Sequence, residues 1–197
     1  MLYEFAHFLQ KRVAPVWALA EWGNSTLFRL RYASRLKRLP EVVSSYEGVR
    51  RISAEDVPAL VAFFDAQPQW AFVHFNPHGF DRDSVAKLVR NPSMLMYALW
   101  EDGSIAGYFF LRSFFIGKGY LGKMVDAKLQ GKGIGQKMCC CAMDIATTLG
   151  IRMFESINKN NLSSLGATQK VLETRVVKEM EGDVLYIEDL RKKTVCG

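Results

Sequence analysis

The chain has 197 residues, 49% of them hydrophobic, with 26 Lys and Arg against 20 Asp and Glu. That length can bury a full core, and that balance is the one of a soluble globular protein, which excludes a disordered or fibrous chain. Four cysteines without a Cys-x-x-Cys pair speak for a reducing cytoplasm, and no metal is expected: Cys139, Cys140 and Cys141 are consecutive and point about 100° apart on a helix, so they cannot close one tetrahedron.

In chain order, residues 1–40 come first, with Lys11, Arg12, Arg29, Arg31, Arg35, Lys37 and Arg38 against Glu4 and Glu21, five of the six net positive charges. Lys11 and Arg12 interrupt the apolar run, so it is no secretory signal, and no stretch is long and apolar enough to span a bilayer. Two helices are expected, roughly 2–22 and 25–38, packed on the rest of the chain or on a second subunit. A basic amphipathic element on an anionic lipid surface or a nucleotide substrate is the other reading. No groove-reading motif accompanies the charge, so no nucleic-acid partner is expected.

Val49 to Ile52 then reads as a strand, and Ser53-Ala54-Glu55-Asp56 as a capping box before Val57, Leu60, Val61 and Phe64 on one helical face. A second helix starts at Asp81 and ends near Asn91-Pro92. Leu95 to Trp100 and Ile105 to Leu111 form a hairpin across Glu101-Asp102-Gly103-Ser104. A strand from Tyr120 to Val125 leads through a glycine-rich turn into a helix with Ile134, Met138, Cys141, Ala142, Ile145 and Leu149 at helical spacing and Gly150 as its stop. A strand from Arg152 to Ile157, a helix opened by Asn161 and running to about Leu172, and a hairpin turning at Glu181-Gly182-Asp183 complete the order β-α-α-β-β-β-α-β-α-β-β.

The turn reads Gln130-Gly131-Lys132-Gly133-Ile134-Gly135. The helix behind it has no Ser, Thr, Asp or Asn to cap it. Free amides at a helix N-terminus, with no Cβ in the way, bind an anion, most often a phosphate. It is not a Walker A loop, because Met138 follows Lys137, and not a dinucleotide fingerprint, because Gln136 stands where the third glycine belongs.

What fits is Gln-x-x-Gly-x-Gly at Gln130, Gly133 and Gly135, and it resembles the acyl-CoA pyrophosphate loop of the GNAT superfamily of N-acyltransferases. The strand entry Val125-Asp126-Ala127 resembles that family's Val-x-Pro with Ala127 in place of proline, and Asn161 with Ser164 resembles its downstream Asn-x-x-Ala/Ser. The order of elements agrees over about residues 48–190. The resemblance implies an α/β fold with a mostly antiparallel central sheet, a splayed strand pair and helices on both faces. Residues 46–197 would be the acyltransferase domain and residues 1–45 a basic, aromatic-rich helical extension.

It also implies roles. Amides across Gln130, Gly131, Lys132, Gly133, Ile134, Gly135 and Gln136 would hold the pyrophosphate of acetyl-CoA, with the Lys132 and Lys137 side chains nearby. The strand from Lys123 through Met124 to Val125 would hydrogen-bond the pantetheine arm in the splayed gap, and an amide near Val125 would polarise the thioester carbonyl. Asn161 and Ser164 would touch the cofactor, although Asn161 is equally well a helix N-cap. A primary amine would attack directly, so a base is needed: Glu155 on the strand beside the gap, with Asp126 as a lesser choice, or His78 in the loop Phe75-Asn76-Pro77-His78-Gly79-Phe80, where Phe75 and His78 would also contact the acceptor. His74 reads as structural. Many members carry a Tyr seven residues after the Asn as acid for the departing thiolate; Thr168 stands there, and that role is unassigned.

The favoured reading is an acetyl-CoA-dependent N-acetyltransferase on a small-molecule amine, with the basic N-terminal segment pointing to an anionic or nucleotide-linked amino sugar. Two others stand beside it: a module that holds acyl-CoA without turnover, and a partner- or membrane-docking protein acting through residues 1–40. Family analogy adds a homodimer.

Overall fold

In the computed structural model, residues 14–194 are described. Seven strands form one sheet in the order β1-β2-β3-β4-β5-β7-β6. They are β1 (Val49–Arg51), β2 (Met94–Glu101), β3 (Ser104–Phe114), β4 (Lys118–Val125), β5 (Arg152–Asn158), β6 (Leu172–Met180) and β7 (Val184–Lys192). Every pairing is antiparallel except β4 with β5, which run parallel. The mostly antiparallel sheet, the helices on both faces and the helical N-terminal segment are as the motifs imply.

Period-two alternation sorts the central strands onto two cores. On β2, Leu95, Tyr97 and Leu99 face one core, and Met94, Met96 and Ala98 face the other. A strand buried on both faces reads as an unbroken apolar run, and Met94 to Trp100 is one. The first core is covered by α1 (Ala14–Leu36), α2 (Leu39–Ser44) and α5 (Ile134–Leu149), and α6 (Leu162–Val171) lies on the same side. The second is covered by α3 (Val57–Asp65) and α4 (Arg82–Val89).

Local chemistry sets the boundaries. The Ser53 capping box is present, with Asp56 accepting from the Ser53 amide at 2.8 Å and holding Arg50 by two bonds. Asp81 caps α4 through the Ser84 amide. The β2–β3 hairpin turns on Asp102 and Gly103, both at positive φ, the conformation that matches the right-handed twist of the strands.

The N-terminal segment departs from expectation. Over the described residues it is one continuous helix through Gly23-Asn24, where two helices were expected; residues 2–13 of the first lie outside the described residues. Asn24 explains the continuity. Its Nδ2 donates to Ser93 Oγ and to the Ser113 carbonyl, and its Oδ1 accepts from the Phe115 amide, so a residue that locally favours a break is held by the sheet. Phe28 and Tyr32 on the same face enter the first core, while Leu19, Trp22 and Leu30 face outward. No helix among the described residues is long and apolar enough to cross a membrane.

Candidate active site

The site begins where a ladder ends. β4 and β5 pair at Lys118↔Arg152, Gly119↔Met153 and Tyr120↔Phe154, and no further among the described residues. β4 stays paired with β3 as far as Gly107↔Val125, and β5 stays paired with β7 as far as Asn158↔Val184. Each strand is therefore held on its outer side while the inner sides part. Backbone polar groups along the gap are open to a ligand, since a buried amide or carbonyl without a partner costs a hydrogen bond.

The glycine loop stands at the mouth of this gap. Asp126 accepts from the Lys128 amide and turns the chain out of β4. Buried Gln67 braces the turn: its Oε1 accepts from the Ala127 amide at 2.9 Å and its Nε2 donates to the Phe63 carbonyl. Gly133, the N-cap of α5, sits at φ +83°, a conformation a side chain would strain, and a Cβ there would meet nothing within 4 Å of it. Gly135 has a different reason: a Cβ would lie 3.3 Å from that of Ala167, so its absence lets α5 and α6 approach closely. The first helical bond of α5 runs from the Lys137 amide to the Gly133 carbonyl, which leaves the amides of the first turn pointing outward.

Gap and loop share one cavity of about 300 Å³. Met124, Val125, Asn161, Ser164 and the loop from Gln130 to Gln136 line it, apart from Lys132, which the structure places outside. Asn161 acts as the α6 N-cap, accepting from the Ser164 amide at 3.1 Å, and still borders the cavity. Phe75 and Glu155 line it as well.

His78 does not. Its Nδ1 donates to the Gly79 carbonyl at 2.9 Å and its Nε2 accepts from the Tyr108 hydroxyl at 3.1 Å. Burial among Phe64, Phe80 and Phe110 lowers its pKa, so the ring is neutral at pH 7. It borders a separate hollow of about 410 Å³ beneath α1, with Glu21, Lys87 and Arg112. Sequence cannot say on which side of a loop a ring falls, and here the aromatic neighbours took His78 into the second core. The imidazole in the cavity is that of His74, beside Trp70.

The floor of the cavity is charged. Lys123 on β4 is ion-paired with Glu155 on β5, with 6% and 3% of the two side chains exposed. Thr168 on α6 closes a triangle: its hydroxyl donates to Glu155 Oε1 at 2.9 Å and accepts from Lys123 Nζ at 2.9 Å. Burial disfavours the Lys123 ammonium, and the Glu155 carboxylate paired with it favours it. Asp189 on β7 lies behind, buried, with no hydrogen-bond partner for either carboxylate oxygen. Burial, and then the Glu155 charge, push its pKa up to about 8, so it keeps its proton at neutrality. Burial also pushes the neighbouring Cys139 thiol up to about 12, which leaves it uncharged. Of this group, with Thr168 at a position left without a role, the sequence offers only Glu155 as a catalytic candidate. A lysine in the apolar strand Tyr120 to Val125 was the available signal for its partner.

Comparison with known proteins follows the same lines. The model of the acetyltransferase (GNAT) family matches residues 52–172. No curated protein matches the chain. Among solved structures it is similar to the GNAT domain of S. lividans PAT, at 17% identity over 72% of this chain and 89% of that one, with a TM-score of 0.62. It is also similar to the PaiA N-acetyltransferase from Thermoplasma acidophilum in complex with coenzyme A, at 15% identity over 74% and 98% of the two chains and a TM-score of 0.59. A third likeness is AAC(6')-Ib in complex with paromomycin and acetyl-CoA, at 14% identity over 73% and 92% and a TM-score of 0.57. At these identities the structures speak for the fold, and the family match covers more than half of the chain: the protein belongs to the GNAT family of acetyltransferases.

Proposed function

We propose that the protein transfers an acetyl group from acetyl-CoA to a primary amine of a small-molecule acceptor by direct attack. The observation that carries this is the single cavity in which the parted β4 and β5 meet the free amides of α5. Its two ends suit the two ends of one molecule. The amides from Ile134 to Gln136 and the helix dipole take the pyrophosphate. The strand edge at Met124 and Val125 takes the pantetheine arm and polarises the thioester carbonyl. The PaiA relative holds coenzyme A, and AAC(6')-Ib holds acetyl-CoA together with paromomycin, which supports the same pairing of acyl donor and acceptor here.

Glu155 is the one carboxylate among the described residues lining the cavity, and it takes the proton lost by the attacking nitrogen. Trp70, His74 and Phe75 form the aromatic side of the acceptor site. None of Arg29, Arg31, Arg35, Lys37 and Arg38 lines the cavity, so the basic N-terminal segment lends an anionic acceptor no support at the site itself. Both Glu155 oxygens are already engaged, by Lys123 and by Thr168, and this is the observation that favours a second reading, acyl-CoA binding without turnover.

Calorimetric titration with acetyl-CoA, wild type against Gly133→Glu, tests the binding, and CoA release over a panel of amines tests the transfer. Micromolar binding lost in the variant and CoA release with one amine class are expected. A folded wild type that binds no acetyl-CoA overturns the proposal, and binding without release under every amine leaves the second reading standing in its place.

A further inference from the structure

Direct attack on a thioester ends with a negative sulfur. The carbonyl reforms, the C–S bond breaks, and its electron pair leaves on the thiolate, which in a dry cavity needs a positive partner. Among the described residues lining the cavity, Lys123 is the one ammonium or guanidinium group. The hydroxyl of Thr168, at the position where the resemblance calls for a tyrosine, is committed: its proton goes to Glu155 Oε1 and its lone pair to Lys123. The side chain beside it that carries protons and positive charge is Lys123.

We propose that the Lys123 ammonium is the counter-ion of the departing CoA thiolate and the last carrier of its proton. The inference rests on the acetyl-transfer reading above. In the resting site Lys123 and Glu155 cancel each other. As the nitrogen adds to the carbonyl carbon, its N–H proton passes to Glu155, and the carboxylate becomes neutral. Lys123 is then uncompensated at the moment the C–S electron pair arrives on sulfur, so the positive charge becomes available when the negative one appears. Lys123 gives one proton to sulfur and takes the one held by Glu155. The pair returns to its starting state with amide and thiol as products, and no proton is gained or lost.

Asp189 fits this scheme as a neutral neighbour. A second ionised carboxylate beside Glu155 would leave Lys123 paired even after Glu155 had been protonated. Among the described residues, the elements packed around the pair contribute Thr168 from α6, the uncharged Cys139 from α5 and Asp189 from β7.

Leaving-group chemistry separates this role from that of a wedge that only keeps the strands apart. A thiolate of an acidic thiol departs without help. Lys123→Met is expected to lower kcat/KM with acetyl-CoA by about 10²–10³-fold, the range of one lost charge-stabilising donor. With the aryl thioester S-acetyl-4-nitrothiophenol the loss should be less than about tenfold, and the CoA affinity should be kept within a few-fold. Glu155→Gln, which keeps the ammonium, should slow both thioesters alike. Where Lys123→Met does not fold, Lys123→Met/Glu155→Gln leaves no unpaired charge in the floor, and the ratio of the two thioester rates is read there. Equal losses on both thioesters in the folded Lys123 variant overturn the inference. No CoA release by wild type with any amine overturns instead the acetyl-transfer reading on which it rests.

Discussion

The same two strands are built in two ways. At the paired end, Lys118 to Tyr120 of β4 lie against Arg152 to Phe154 of β5, and Tyr120, Phe154 and Tyr186 close over the junction, with Phe154 and Tyr186 stacked at 5.2 Å and the two tyrosine hydroxyls 3.2 Å apart. At the parted end, just past the last pair, the ladder gives way to a cavity floored by Lys123 and Glu155 and rimmed by glycines. The first end spends its side chains on packing. The second leaves backbone groups open and fills its floor with charge, which costs stability unless every charge is paired. The lesson is that the pairing of the outer strands, and not a loop, opens this site: β3 holds β4 and β7 holds β5 beyond the last β4–β5 pair.

Mutations can break or sharpen this contrast. Phe154 is fully buried at the paired end, so Phe154→Ala should cost about 3–5 kcal/mol, read from chemical denaturation, the usual range for such a truncation. Any folded fraction should still bind acetyl-CoA, because the loop amides are untouched.

The parted end should show itself through pH. Asp189 has its pKa raised from an ordinary aspartate value to about 8, so between those limits the folded state binds a proton that the unfolded state has lost. The sign follows: stability falls as pH rises through this window and levels off above it. Asp189→Asn should remove that fall, gaining at most about 4 kcal/mol over wild type between pH 5 and pH 9. Thermal melts of the two proteins across that range check it. Parallel curves would mean Asp189 is ionised in the folded protein, with Glu155 and Lys123 arranged otherwise.

The smallest effect is expected far from both ends. Asp56→Ala removes the Ser53 capping box of the short 3-10 turn Ala54–Asp56 that leads into α3, and the Arg50 pair, at a cost of about 1–2 kcal/mol. Arg50, and with it the Ser53 bonds, holds the Asp56 pKa down to about 2, so this contribution is present at neutral pH and is lost as pH falls toward that value. Acetyl-CoA affinity should not change.

How much of this could be read from the chain depends on the range of the interaction. Turn and cap chemistry is local, and it located the Asp102-Gly103 hairpin, the Ser53 and Asp81 caps, the Gly150 stop and the glycine loop within a residue or two. Residues whose meaning depends on a distant partner were illegible. Asn24 reads as a helix break until Ser93 and Ser113 are placed beside it. His78 reads as an acceptor contact until Tyr108 takes its Nε2. Gln67 carries no signal at all, because its partner Ala127 is 60 residues away in sequence. Glu155 was legible as a strand carboxylate near the gap, but its facing the floor, against Lys123, follows only from the register of β5 with β7.

The most direct test of the central claim is amide hydrogen exchange with and without acetyl-CoA. New protection is predicted at the inner edge of β4 from Leu121 to Val125 and in the first turn of α5 from Ile134 to Gln136. Lys118 to Tyr120, already paired with β5, should not change. Protection confined to the hollow beneath α1, or no protection at the parted end by a protein that binds acetyl-CoA, would contradict the account.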